Sequence, residues 1–340
     1  MPLVYALWNN KGGTGKTSLA FQTVCLYAEK HRSKRILAID LCPQANLSEL
    51  LLGGLANKGS DMLLKQQGLV PRCSIGGYFQ LRLPSPYVPP PFAATDFITK
   101  PITFNNAVPD NIDLVCGDPL LELQSNAVNT LANNQIPGAT PWISVVDWLA
   151  DFLKQVKDDY DTVFIDCNPS FSLYTQIGLA ACDRIILPVM ADDSSRRAIQ
   201  NAFSLVYGLK LPSEIYTAYA FATKLRNAGR ALPKVHLIIK NRLTQYMGAA
   251  SAYAAVLSAI EKDVEKLLKL HSDIFTFKTV EKGFVEVRDF QTTGVIAFAK
   301  GLPFSKVQVG KQTINGHRVQ VRDEYLDNAK KAMAGLVACL

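Results

Sequence analysis

LVYALWNNKGGTGKTSLAFQTV, residues 3–24, decides the reading of this chain. An apolar run of strand character passes into a glycine loop, and the loop passes into an amphipathic stretch of helical character. That strand–loop–helix order is what a phosphate cradle requires. Gly12, Gly13 and Gly15 let the backbone curl, so that amide N–H groups through Thr14 point at phosphate oxygens. Lys16 is placed to reach the β- and γ-phosphates, the Thr17 hydroxyl to ligate Mg²⁺, and Ser18 to open a helix whose positive end faces the anion. The common spacing G-x-x-x-x-G-K-[ST] fails by one residue, because Asn10 stands where its first glycine belongs. Lys11 precedes the glycines instead and adds a second cation to the loop.

Working outward, further apolar runs read as strands at 35–40, 112–117, 161–166, 184–190 and 235–240. Their Val, Ile and Leu content without alternation fits strands covered on both faces of a parallel sheet. Helical patterns fall at 16–31, 118–134, 143–158, 194–209, 248–270 and 322–338. The alternation predicts an α/β fold with a doubly wound, mostly parallel sheet flanked by helices. The whole chain, 1–340, reads as one nucleotide-binding domain. Residues 53–110 break the alternation with two Gly-Gly pairs and the run PSPYVPPP at 84–91. Proline excludes a central strand there, so the segment reads as an irregular insertion with a short helix near 60–67.

Of 340 residues, 48% are apolar and 19% charged, which suits a sizeable core and excludes wholesale disorder. No apolar run reaches the ~18 residues of a membrane span, and the N-terminus lacks the features of a signal peptide. The chain reads as cytosolic. Seven cysteines, an odd number with no C-x-x-C pair, argue against a disulfide framework or a cysteine metal site. Net charge is +7 and uneven. Residues 215–260 hold Lys224, Arg226, Arg230, Lys234, Lys240 and Arg242 ahead of the first acid of that region at Glu261; residues 290–322 hold Lys300, Lys306, Lys311, Arg318 and Arg322 with no acid at all. Such runs suit a polyanionic partner or a solvated basic face.

Together the segments resemble the ParA/MinD family of ATPases. Its K-G-G-x-G-K-T loop matches 11–17. ILAIDLCPQANLS (36–48) resembles the family's D-x-D-P-Q motif. YDTVFIDCNPS (160–170) resembles its Walker B strand and switch, and 184–206 the strand and helix that follow. The resemblance implies a P-loop NTPase of SIMIBI type that binds ATP and Mg²⁺ and forms a homodimer sandwiching the nucleotide. It implies that Lys11 reaches the partner's phosphates, that Asp166 holds Mg²⁺ through water, that Asp40 lies close to the γ-phosphate, and that Asn241 contacts adenine. Arg196 and Arg197 suit either DNA or the dimer interface. One position departs from the pattern: Cys42 stands where the family has its second Asp. A neutral thiol is a poor acceptor for a water proton, so hydrolysis is expected to be slow or partner-stimulated, or carried by Asp40.

Family members use the switch to position DNA or protein cargo, some on membranes. The C-terminal stripe Tyr325, Leu326, Ala329, Met333, Leu336 and Val337 lacks the basic face of a membrane anchor, so it is expected to pack on the sheet. The resemblance then implies a bacterial or archaeal, nucleoid-associated partition ATPase. Its partners would be non-specific DNA, met by Arg226, Arg230, Arg318, Arg322 and Lys330, and an adaptor or cargo protein. The loop begins so close to Met1 that an N-terminal helix-turn-helix domain is not expected. The alternative is a weakly hydrolysing, nucleotide-gated module that docks a protein cargo.

Overall fold

The computed structural model describes residues 1–243, 250–314 and 316–340. Seven strands form one sheet: β1 (Leu3–Leu7), β2 (Ile36–Leu41), β3 (Ile112–Val115), β4 (Thr162–Cys167), β5 (Arg184–Val189), β6 (Lys234–Leu243) and β7 (Phe284–Arg288). Their order is β3-β2-β4-β1-β5-β6-β7 and every pairing is parallel. Strands β2, β3 and β4 are buried at every position and β1 at all but Leu3. That is why they read as continuous apolar runs. A small antiparallel hairpin, β8 (Gly310–Ile314) with β9 (His317–Val321), stands apart from the sheet.

Helices cover both faces. On one lie α1 (Lys16–Lys30), α2 (Asn46–Leu51), α3 (Gly59–Gln67), α13 (Gln291–Lys300) and α14 (Asp323–Val337). On the other lie α4 (Ile75–Arg82), α5 (Leu120–Asn133), α6 (Pro141–Val146), α7 (Trp148–Gln155), α8 (Leu173–Ala181), α9 (Asp193–Tyr207), α10 (Phe221–Asn227) and α11 (Ala250–Leu270). The one-turn α12 (Val280–Gly283) leads into β7. The C-terminal stripe is buried at Leu326, Ala329, Met333, Leu336 and Val337, and α14 packs on α1 and β7. No described helix is long and apolar enough to cross a membrane.

Three readings change, and one falls partly outside the described residues. The helix expected at 143–158 is two helices, broken at Asp147 between α6 and α7. The first two residues of the helix expected at 248–270 lie outside the described residues. The edge strand β7 and the hairpin were not anticipated, because their exposed positions dilute the apolar signal. Residues 53–110 are less irregular than their Pro and Gly content suggests. They carry α3, α4 and two 3₁₀ turns, and they bury Tyr78, Phe79 and Phe97 in the core. Even PSPYVPPP is tied down: the Trp148 indole N–H donates to the Pro86 carbonyl at 2.8 Å.

Candidate nucleotide site

β1 lies between β4 and β5 at the centre of the sheet. In a parallel sheet of this kind ligands gather where the winding reverses, beyond the carboxyl ends of the strands. The loop between β1 and α1 occupies that place. Gly13 and Gly15 take left-handed φ of 73° and 81°, which residues with a Cβ adopt only at a cost. Gly15 is also close-packed: a Cβ there would come 2.4 Å from Asn241 Nδ2, so the Asn241 amide would have to shift. No atom lies within 4 Å of a Cβ built on Gly12 or Gly13, so their backbone faces open space. The loop is braced from β5 by Asn9, whose amide donates to the Pro188 carbonyl (2.7 Å) and whose Oδ1 accepts from the Lys11 N–H (3.0 Å).

The cations and carboxylates converge here. Lys16 is buried and donates to the Lys11 carbonyl at 3.1 Å. Burial pulls its ammonium below the ordinary value, with Asp166 opposing. The Thr17 hydroxyl donates to Asp166 Oδ2 at 2.7 Å. Asp40 and Asp166 sit side by side in register at the ends of β2 and β4. Asp40 Oδ2 accepts from both the N–H and the hydroxyl of Ser48 at 2.8 Å. Burial, then the charge of Asp166, push the Asp40 carboxyl up to about 7. Burial pushes Asp166 up to about 6 against Thr17 and Lys16. Two desolvated carboxylates side by side are an electrostatic strain that a divalent cation would relieve.

Four buried polar atoms without a partner in the described structure belong to this neighbourhood: Asn10 Oδ1, Thr14 Oγ1, Asp40 Oδ1 and Asp166 Oδ1. Buried oxygens are normally satisfied, so these fit a Mg²⁺–nucleotide with its waters. Ser18 and Asn241 border an adjoining cleft of about 280 Å³ with Gly15, Asp289, Phe290, Gln291, Gly294, Val295 and Phe298. An aromatic ring, an amide and a carboxylate beside a phosphate loop suit a nucleobase. Asn241 itself donates to the Thr14 carbonyl at 2.8 Å. The walls after β7 escaped the sequence reading because that segment carries no phosphate-loop motif.

Cys42 is buried, and burial followed by the nearby Asp40 charge pushes its thiol up to about 12. It stays protonated and points to Asn168 Oδ1 at 3.6 Å. Lys11 does not face its own phosphate cradle. It donates to Asp192 Oδ1 (2.7 Å) and Oδ2 (2.5 Å) and to the Ser195 hydroxyl (3.2 Å) at the start of α9. Burial pulls the Asp192 carboxyl up, but the bonds from Lys11, Ser194 and Ser195 outweigh it and hold it at about 2.

The expected DNA-binding residues do not come together. Arg226 lies in α10 and Arg230 just after it on one face of the sheet, while Arg318 of β9, Arg322 at the start of α14 and Lys330 of α14 lie on the other. The Arg230 guanidinium is held by Asp147 at 2.5 Å, and Arg322 lies over the Tyr325 ring. Arg196 pairs with Asp263 of α11 at 2.9 Å. All seven cysteines are free; six are buried and Cys339 is exposed.

A family model described as an AAA domain matches residues 3–211. The chain is 30% identical over 196 residues to an uncharacterised protein of Mycobacterium tuberculosis, covering 58% of this chain and 49% of that one. It is 28% identical over 184 residues to the chromosome-partitioning ATPase Soj of Treponema pallidum, covering 54% and 55%. The match thus spans about half the length of these relatives. Among solved structures, apo McdA of Cyanothece superposes with a TM-score of 0.62 at 14% identity, covering 100% of this chain and 99% of that one.

Proposed function

The chain is a ParA/MinD-type P-loop ATPase of the AAA-domain family whose model it matches, and from that premise we propose that it is an ATP-dependent dimerising switch that positions DNA or a cargo. The observation that carries this reading is the set of unsatisfied buried oxygens on Thr14, Asp40 and Asp166 around a loop with two lysines. When bound, Mg²⁺–ATP supplies the cation those carboxylates lack and the polyphosphate the lysines lack. Gly12, Gly13, Thr14 and Gly15 cradle the phosphates, Lys16 neutralises them, Thr17 and Asp166 hold the metal side, and Asn241 borders the base. Lys11, held in cis by Asp192, would be exchanged into a partner's site when triphosphate binds, so the homodimer forms only with ATP. Non-specific DNA and an adaptor protein are the proposed partners, with the nucleoid in the cytoplasm as the setting.

Cys42 favours the second reading, a switch that hydrolyses slowly. A thiol pushed up to about 12 cannot accept a proton from water at neutral pH. The time spent in the ATP state would then be set by an adaptor or by Asp40. Calorimetric titration with Mg²⁺–ATP tests the reading. Wild type should bind with micromolar affinity or better and Lys16→Ala should lose that heat; equal heats from both proteins would refute it.

A further inference from the structure

The β8–β9 hairpin lies inside the acid-free stretch 290–322. Its register sets Lys311 opposite Gln320 and Thr313 opposite Arg318. Side chains alternate across a strand, so these four share one face, and all four are exposed. The other face holds Gln312, Ile314, Val319 and Val321. Val321 is buried, and Ile314 and Val319 pack on the core. Lys300 of α13 donates to Gln312 Oε1 at 2.9 Å. A lone two-stranded hairpin is marginal in water. This one is fixed by its inner face, which leaves the outer face free for another task.

Several cations elsewhere are held by carboxylates, as in Arg72–Asp118, Arg230–Asp147, Lys240–Glu261 and Lys331–Asp327; what sets this face apart is that its two cations lie in register on one ribbon inside a stretch with no acid. Among the described residues no ion pair involves Lys306, Lys311 or Arg318. We infer that the outer face of the β8–β9 ribbon is a docking surface for double-stranded nucleic acid, with Lys311 and Arg318 meeting phosphates and Thr313 and Gln320 supplying neutral hydrogen bonds. The inference rests on the DNA-binding reading proposed above and gives that reading a place.

The chemistry favours a duplex over a lipid surface. A two-stranded ribbon fits the major groove. None of the four outer-face residues is apolar, a single exposed Val309 beside them is too little for insertion between lipids, and the two cations fall short of the clusters of about four to eight that hold a protein to anionic membrane. Arg226 lies in α10 on the opposite face of the sheet, so it serves as the comparison variant.

The test uses the full chain with Mg²⁺–ATP and a fluorescein-labelled 30-base-pair duplex, read by anisotropy between 50 and 300 mM salt. Each phosphate contact contributes about 0.9 to the log–log salt slope, or about 8-fold in affinity at 0.1 M salt. The double variant Lys311→Gln/Arg318→Gln should bind on the order of 60-fold more weakly there, with a slope shallower by about 2. Its heat of nucleotide binding should stay that of wild type, which shows that the fold is intact. Unchanged duplex affinity in this variant, or a loss seen instead in Arg226→Gln, overturns the ribbon assignment and leaves the DNA reading standing. A wild type that binds nucleotide but no duplex sinks both. Binding to phosphatidylserine vesicles that depends on Lys311 and Arg318, without duplex binding, overturns the nucleic-acid assignment.

Discussion

Replacing Asp40 by Asn should stabilise the nucleotide-free chain, and only at high pH. Asp40 and Asp166 are buried side by side at the ends of β2 and β4; burial, then the charge of Asp166, pushes Asp40 up to about 7, and burial pushes Asp166 up to about 6. A carboxyl whose folded value exceeds its unfolded value destabilises the fold at every pH above the folded value; the cost fades as pH falls through that value. At pH 8 both groups are ionised and the full cost applies. Asn removes one charge while keeping an oxygen for the two Ser48 bonds. The rise of Asp40 from 3.8 to about 7 corresponds to a ceiling of about 4 kcal/mol. The buried amide left in place of Oδ1, which has no partner, takes back about 2 kcal/mol. A net gain of about 2 kcal/mol, spread over an unfolding entropy of about 2.1 cal/mol/K per residue, raises Tm by about 3 °C. Differential scanning calorimetry of the apo protein at pH 8 and pH 5 measures it. The gain should vanish at pH 5 and shrink at pH 8 when Mg²⁺–ATP is added, because a bound cation makes the lost charge an asset. A loss of stability at pH 8, or a gain of equal size at both pH values, would refute the argument.

Three further outcomes follow from the same geometry. Gly15→Ala forces a Cβ into Asn241 at a φ of 81°; it should lower stability by about 1–2 kcal/mol and weaken Mg²⁺–ATP binding at least about tenfold by calorimetry, and Asn241→Ala added to it should restore part of the Tm. Cys42→Asp supplies the missing proton acceptor and should raise ATP turnover by about 100-fold or more in a phosphate-release assay; unchanged turnover would show that the thiol is not what limits hydrolysis. Ellman's reagent should titrate one thiol rapidly in the native chain, Cys339, and the other six only in denaturant, since burial both shields them and pushes their thiols up; two or more fast thiols would contradict the packing described.

The sheet and the phosphate loop were legible in the sequence for one reason. A strand buried on both faces and a glycine that must take positive φ each leave a residue choice that few other causes produce. All six expected strands are present within a few residues, and Asp40 and Asp166 stand at strand ends where the motif reading put them. What escaped was set by tertiary context. FVEVR at 284–288 is an edge strand with only Val287 buried, so its apolar content falls below the signal. The cleft wall Phe290–Gln291 follows it and is defined only by where β7 ends. Arg82 would read as surface, yet it is fully buried because Asp151 pairs with it and the Trp148 ring lies against it. The scattered arginines invited a single basic face, but a sheet between α10 and α14 separates them, and charge counting carries no information about layers.

The glycines at 53–54 show how a correct signal can carry a wrong cause. Gly-Gly reads as a loop marker, and the chain does turn there. The stronger constraint is contact: a Cβ on Gly54 would lie 2.4 Å from the Gly301 N and 2.7 Å from the Phe298 carbonyl. The end of α2 and the end of α13 therefore approach backbone to backbone, sealed by Ala56 N–H donating to the Ala299 carbonyl and Asn57 donating to the Lys300 carbonyl. That contact pins α13, which also packs against α14. Its Gly294, Val295 and Phe298 line the cleft beside the phosphate loop, its C-terminal end meets the start of the 53–110 segment, and it packs against the hairpin. A rigid helix held at one end transmits displacement rather than absorbing it. Base occupancy in the cleft would then be felt at the ribbon and at the Gly53–Asn57 turn together. The contact that would carry such coupling is the Gly54–Gly301 approach, where neither residue can gain a side chain without forcing the two elements apart.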